Sequence, residues 1–466
     1  MNQPDESDAR KTVEMRWCRY RRLLSSLLPA TAICAWTAGV QAGNADAFYL
    51  SGEAGMQAGA IVADSRGGGS VWYNPAGLAS LSGTRLDVNV SAYAINFGAE
   101  ADFDSTLPRA EETRLTLSDI NVVPAALALT RRFGKVGVGV GIFVPTQSVV
   151  ALRTYLEAPP DEEGTALQFG YDSTVRVQEY HLGPGIGWDP IENLSVGASL
   201  LVNYRTHYES VDVSSTIEDG GESYSSSNHW AVDSIGVGLE MVLGAQLQLT
   251  PRWRVGAVVR TPAVRLAQVH ELVETELSAS STGELHESMV FDEAFDIGTQ
   301  LLTPFRFHLG VSHELESLRA SAEGSVTLPL ENNLAGISQR LTWNARFGLR
   351  GNVAPAWTLG GGLFTDRSPS KAPTQFQEHQ INYYGATVAL AWLNPYGVYS
   401  RDGVTMDEPT SLIFGTSVAF SYAVGVGDLV SAEVGPDPAG GLLTTSITSD
   451  VVAHEFSLHI SSTISE

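Results

Sequence analysis

The chain has 466 residues, 28 basic against 52 acidic side chains, a formal net charge of −24 and a mean hydropathy of +0.00. That charge argues against nucleic acid as a partner, and the lack of an apolar run of about eighteen residues beyond the N-terminus excludes a helical membrane protein. No linker or composition break divides the chain after Gly43, so one large closed β-structure accounts for its length better than several soluble domains.

Residues 1–42 have the three parts of a secretory signal. Arg16, Arg19, Arg21 and Arg22 form the basic region, residues 23–40 the apolar run, and Val40-Gln41-Ala42 or Ala45-Asp46-Ala47 the cleavage site, so the mature chain is expected to begin between Gly43 and Phe48. Both cysteines, Cys18 and Cys34, lie in the part removed. The mature protein is therefore expected to carry no disulfide or thiol chemistry, and no cofactor or metal site is expected either. Its acidity reads either as a surface for divalent cations or as simple solvation of long polar loops.

Residues 43–83 form a glycine-rich, non-repeating segment before the first strand. Gly55, Gly59, Gly67, Gly68 and Gly69 give it little to gain from regular structure, so something must enclose it. Asn74-Pro75-Ala76-Gly77 supplies a turn, with Gly77 free to adopt positive φ. An ordinary surface loop would read the same way, but the long series of alternating segments on its C-terminal side favours a plug.

From residue 84 to 466 apolar residues recur at every second position, the period of a strand with two unlike faces. The pattern predicts fourteen strands: 84–96, 119–131, 135–147, 174–188, 193–208, 232–250, 252–266, 297–313, 317–328, 339–351, 356–366, 380–393, 411–425 and 450–463. Leu341, Trp343, Ala345, Phe347 and Leu349 oppose Thr342, Asn344, Arg346, Gly348 and Arg350; Trp253, Val255, Ala257 and Val259 oppose Arg254, Gly256, Val258 and Arg260. Tight turns alternate with long acidic connections, except that 394–410 is long where a short turn is expected. Strands of a soluble sandwich average about five or six residues, whereas a tilted membrane strand needs about nine to eleven. Lipid offers the backbone no hydrogen bonds, so such strands must close on themselves. The expectation is an all-β fold, a transmembrane antiparallel barrel of about 14 strands with the N-terminal segment inside.

Several short motifs then fall into a known order. Ala63-Asp64 with Val71-Trp72-Tyr73-Asn74-Pro75-Ala76-Gly77-Leu78, residues 124–129, Gly137 to Pro145, Val259-Arg260-Thr261-Pro262 and Asp366-Arg367-Ser368-Pro369 together resemble the FadL family of outer-membrane transporters of long-chain fatty acids and other hydrophobic compounds. The resemblance implies a fourteen-stranded barrel with a hatch, to which Asp64, Asn74, Pro75, Ala76 and Gly77 would belong. It also implies a kinked third strand, here Gly137, Gly139, Gly141 and Pro145, through which ligand leaves sideways into the membrane. Locally, those alternate glycines permit a bend and close approach of the hatch, or simply make room for bulky neighbours. The chain departs from the family in lacking an aromatic residue at its end, which is Thr463-Ile464-Ser465-Glu466.

The function expected is passive uptake of a hydrophobic or amphipathic compound such as a long-chain fatty acid, by a monomer in the outer membrane, in contact with lipopolysaccharide and assembled by the barrel-assembly machinery. Its pocket should be mostly apolar with few polar groups. By alternation Arg260, Arg306, Arg346 and Arg350 face the lumen and could hold a carboxylate, or could pair with luminal acids such as Glu323. A general porin and a structural or sensory barrel are the alternatives. An enzyme is disfavoured: His181, His308, His454 and His459 lie on strands, but no Gly-x-Ser-x-Gly nucleophile turn accompanies them.

Overall fold

The computed structural model describes residues 49–98, 121–158, 166–219, 222–280, 285–332, 337–373, 379–394, 413–436 and 442–466. The proposed signal and the long 394–410 connection lie outside them, apart from Asn394. In chain order the strands are β1 (Thr84–Gly98), β2 (Asn121–Phe133), β3 (Val136–Ala158), β4 (Ala166–Ile191), β5 (Leu194–Asp219), β6 (Glu222–Gln248), β7 (Trp253–Arg260), β8 (Val264–Ser280) and β9 (Leu285–Leu301). They continue as β10 (Arg306–Leu315), β11 (Leu318–Thr327), β12 (Leu330–Asn332), β13 (Ile337–Gln339), β14 (Thr342–Ala354), β15 (Trp357–Asp366), β16 (His379–Asn394), β17 (Ile413–Pro436) and β18 (Leu442–Ser465).

Fourteen of these form a closed antiparallel ring. β1 to β7 pair in sequence, then β7 with β10, β10 with β11, β11 with β14, and β14 to β18 in sequence; β18 returns to β1. The seam runs from Arg85 opposite Ser465 to Gly98 opposite Val452, so the last strand pairs to its end without a terminal aromatic residue. The outer face is apolar and carries two levels of aromatic side chains. Trp188, Trp253, Trp357 and Trp392 lie toward the tight turns, and Tyr204, Phe307, Trp343 and Tyr384 lie further up. Tyr384 and Trp392 are eight positions apart; at about 3.3 Å per residue and a tilt near 40°, that separates the girdles by roughly 20 Å, somewhat less than the apolar band of about 25 Å typical of such barrels.

Two of the predicted strands break where the alternation alone suggests continuity. The stretch 252–266 stops at Arg260, because Pro262 has no N–H to give a neighbouring strand. β6 therefore changes partner: residues 242–248 pair with β7, and residues 224–239 pair with β8. The stretch 297–313 divides around Pro304 into β9 and β10. β8 and β9 form an additional hairpin on the long upper part of β6, built from sequence that reads as loop because acids interrupt its alternation.

Residues 49–83 occupy the lumen. A helical turn, Gly52–Met56, is capped by Ser51, whose Oγ accepts from Ala54 N at 3.1 Å. A second turn spans Ser70–Tyr73, and a 3-10 helix spans Pro75–Ser80 with Pro75 at its first position and Asn74 as its cap. The segment approaches the inner wall at glycines all round the ring. A Cβ at Gly137, Gly197, Gly256, Gly348 or Gly360 would overlap the backbone at Leu78, Pro75, Val62, Gln57 and Met56 respectively. Gly77 is needed for closeness and not for its φ: it lies against the Ser65 carbonyl, and positive φ occurs instead at Gly59, Gly67, Gly83 and Gly134.

Candidate functional site

Asp64 anchors the luminal segment. Buried in the lumen, it accepts from Arg66 at 2.9 Å and from Arg350 at 2.9 Å, and it also meets Arg254 and Arg319, which rise from β7 and β11. Burial pushes its carboxyl up, but the four guanidiniums together outweigh that and hold it below the ordinary aspartate range. Asn74 ties the same segment to the wall: its Nδ2 donates to Val62 O at 2.7 Å and to Ala245 O of β6 at 3.1 Å, while its Oδ1 accepts from Ala76 N.

Above this segment the barrel holds a cavity with about 910 Å³ of empty space. Trp72 lines it from the luminal segment, Pro145 and His181 from one side, and Arg306, His308 and Arg367 from the other. Trp72 is itself held on all sides. The Arg260 guanidinium lies 3.8 Å from its ring, and the rings of His181 and Phe143 stand at 4.9 Å and 5.7 Å. Arg260 also donates to the Trp72 carbonyl at 3.1 Å and grips both oxygens of Glu240, at 2.9 and 3.2 Å. The lining mixes polar and apolar surface, where the sequence leads one to expect a mostly apolar pocket.

The four arginines facing the lumen are thus placed in different surroundings. Arg260 is 4 % exposed and joins Trp72 to Glu240; Arg350 holds Asp64; Arg346 lies against Gly59 beside a second, smaller cavity. Arg306 lines the main cavity, with Glu240 at 3.4 Å. Glu323, expected as an arginine partner, instead meets His308 Nδ1 at 3.1 Å and accepts from Val62 N at 3.1 Å. The alternation does not mark Trp72, His181 and Arg367 as pocket residues, nor Glu240 as the partner of Arg260. Trp72 lies in one of the hatch motifs, but a two-residue period assigns a face and not a partner.

The third strand meets the cavity where its pairing changes. β2 and β3 pair only as far as Ala126 opposite Phe143, although β2 extends to Asn121 and β3 to Ala158. At the same level Val144 and Pro145 form a bulge against β4, between the pairs Phe143–His181 and Thr146–Glu179. Gly137 and Gly139 face the luminal segment at Leu78 and Val71, and Gly141 lies under the Phe143 ring. Both close approach and room for a bulky neighbour are therefore present in one strand.

No protein-family model matches the chain, and no curated protein matches it. Solved structures do. A crystal structure of a Pseudomonas aeruginosa FadL homologue superposes with a TM-score of 0.57 at 13% identity, covering 91% of this chain and 99% of that one. The fold is that of the FadL-type channels. The toluene transporter TodX of P. putida gives a TM-score of 0.54 at 12% identity, with 91% and 99% covered, and the CymD monoaromatic hydrocarbon channel gives 0.52 at 15%, with 92% and 98% covered. In FadL-type terms this chain is an outer-membrane β-barrel: its ring is closed and its outer band apolar, and among the described residues no helix is long and apolar enough to cross a membrane.

Proposed function

We propose that this protein is a channel for passive uptake of small hydrophobic or amphipathic compounds such as long-chain fatty acids, with residues 43–83 as its hatch. The observation that carries the reading is the position of the main cavity. It lies directly above Trp72, and its wall includes Pro145 and Thr146, at the bulge beside which β2 and β3 part. A molecule captured among the outer loops could bind there and leave sideways between these strands, which among the described residues are not paired beyond Ala126 and Phe143. The likeness to TodX and to a FadL homologue supports the same class of cargo. The mixed lining favours an amphipathic compound over a pure hydrocarbon, with Arg306 and not Arg260 placed to meet its head group.

Replacing Arg306 with Met is expected to weaken fatty-acid binding by about 1.5–3 kcal/mol, the range for a hydrogen bond to a charged group, and to affect the matching fatty alcohol much less. Titration calorimetry on the purified protein measures both; equal losses would remove the ion-pair role. A general porin is the alternative, and planar-bilayer recording separates the two. Open-porin conductance from the intact protein would defeat the gated-uptake reading.

A further inference from the structure

The β8–β9 hairpin ends a sheet. Among the described residues β9 pairs with β8 alone, so its other edge presents N–H and C=O groups with no strand beside them. Tyr204, in the upper aromatic level, stands opposite Val237, Val237 opposite Ala267, and Ala267 opposite Ile297. From that row the hairpin runs outward, and Phe291 lies six residues further, about 20 Å along the strand. The upper half of β9 therefore stands clear of the hydrocarbon layer. Even so, the whole stretch Phe291-Asp292-Glu293-Ala294-Phe295-Asp296-Ile297 is exposed, Phe295 at 65 % and Ile297 at 75 %. Large apolar side chains grouped in water mark a surface that takes a partner.

Its charges say which partner. Phe291, Glu293, Phe295 and Ile297 share the outer face of β9, and Asp292 and Asp296 lie on the inner one, where Asp296 meets Arg265 at 3.0 Å. On the outer face Asp233 of β6, Glu271 of β8 and Glu293 of β9 stand opposite one another, three exposed carboxylates in one row. Like charges so placed repel, and a cationic side chain laid beside the row would relieve them. The stretch 291–297 has three acids and no base. A second copy of β9 laid antiparallel and centred on Ala294 would set Asp292 against Asp296 twice, and a parallel copy in register would set every acid against itself. The edge is thus closed to its own kind and open to a basic strand.

We propose that the free edge of β9 docks an extended segment of another protein. The segment adds as a strand, with apolar side chains beside Phe291, Phe295 and Ile297 and lysine or arginine beside Asp292, Glu293 and Asp296. Main-chain hydrogen bonds supply the affinity and the order of side chains supplies the specificity. This surface lies outside the lumen and is independent of what the barrel carries.

The test uses the whole purified protein in a non-ionic detergent at about 0.15 M salt, where diffuse attraction between charges is screened. The probe is a dye-labelled peptide, Val-Lys-Val-Thr-Lys-Lys-Val, whose order complements residues 297 back to 291 in an antiparallel pairing. Fluorescence anisotropy is expected to show it binding at least about tenfold more tightly than the same peptide with Pro in place of Thr, which keeps the charge but interrupts the ladder. A peptide with Glu in place of each Lys should bind no better than the Pro peptide. Asp292→Asn combined with Glu293→Gln and Asp296→Asn should weaken the Lys peptide by at least about tenfold, and Phe291→Ala with Phe295→Ala by a similar factor. Heat-modifiable migration on gels shows that each variant still forms its barrel. Equal binding of the Lys and Pro peptides would overturn the proposal, as would absence of binding or indifference to either set of variants. Light scattering that found the protein dimeric by itself, and monomeric after Phe291→Ala with Phe295→Ala, would assign the edge to a second copy and overturn it too.

Discussion

Asp64 is one carboxylate among four guanidiniums, and the luminal segment hangs on it. Because its folded-state pKa is depressed, its contribution is fully present above the unfolded value and is lost as pH falls through the lower folded one. Acidification to about pH 5 should therefore leave the segment seated, and release should begin only below the ordinary aspartate value of 3.8. Conductance recorded in planar bilayers across that range checks it; opening near pH 6 would point to a histidine instead. Asp64→Asn should mimic the acid effect at neutral pH, at a cost of about 3 kcal/mol for leaving buried charges without their partner. The arginines themselves are legible in the sequence only as facing inward. Alternation places Arg346, Arg350 and Arg260 on one face, but which of them meets Asp64, Trp72 or a cavity depends on how a non-periodic segment folds, and that segment carries no period to read.

At the level of elements the strands are legible because membrane and lumen impose opposite chemistry on alternate residues. The face Leu341, Trp343, Ala345, Phe347 and Leu349 is the outer one, and Thr342 and Gly348 on the other face are buried. The β8–β9 hairpin escapes such a reading because it stands beyond the apolar band, where Asp292, Glu293 and Asp296 sit among Phe291, Phe295 and Ile297. Pro262 and Pro304 are the signals that mark its ends. The inner-wall glycines give an element-scale prediction. Gly137→Ala would drive a methyl into the Leu78 carbonyl and should cost about 1–3 kcal/mol through overpacking, loosening the segment and raising single-channel conductance. Gly134→Ala is the control: it has open space around it and only the strain of φ +61, about 1 kcal/mol, so conductance should not change. Equal conductance in the two variants would detach the glycine pattern from the seal.

For the whole molecule, wall and contents have separate sources of stability. Each ring strand pairs on both sides along most of its length, so most of the wall's backbone is satisfied without help from the lumen. Deleting residues 55–72 should leave a barrel that still migrates in heat-modifiable form. Ion conductance should rise and uptake of a hydrophobic compound should fall, because the deletion removes Trp72 and opens the main cavity to water from below. Proteoliposome uptake together with bilayer recording tests this. A deletion that left both unchanged would assign the seal to parts of the chain outside residues 55–72.

The seam has a consequence for the order in which the molecule is made. The luminal segment joins β1 at Gly83, where a Cβ would overlap the carbonyl oxygen of Glu466, while Glu466 N donates to Thr84 O at 2.9 Å. The stretch that leads out of the lumen and the end of β18 thus meet at one point of the wall. Once β18 has zipped onto β1, the helical turns of residues 52–80 would have to pass through a ring whose glycines leave no clearance around them. The expectation is that docking precedes closure. The sheet would then close around a segment already in place, and a chain without residues 55–72 would close around an emptier lumen.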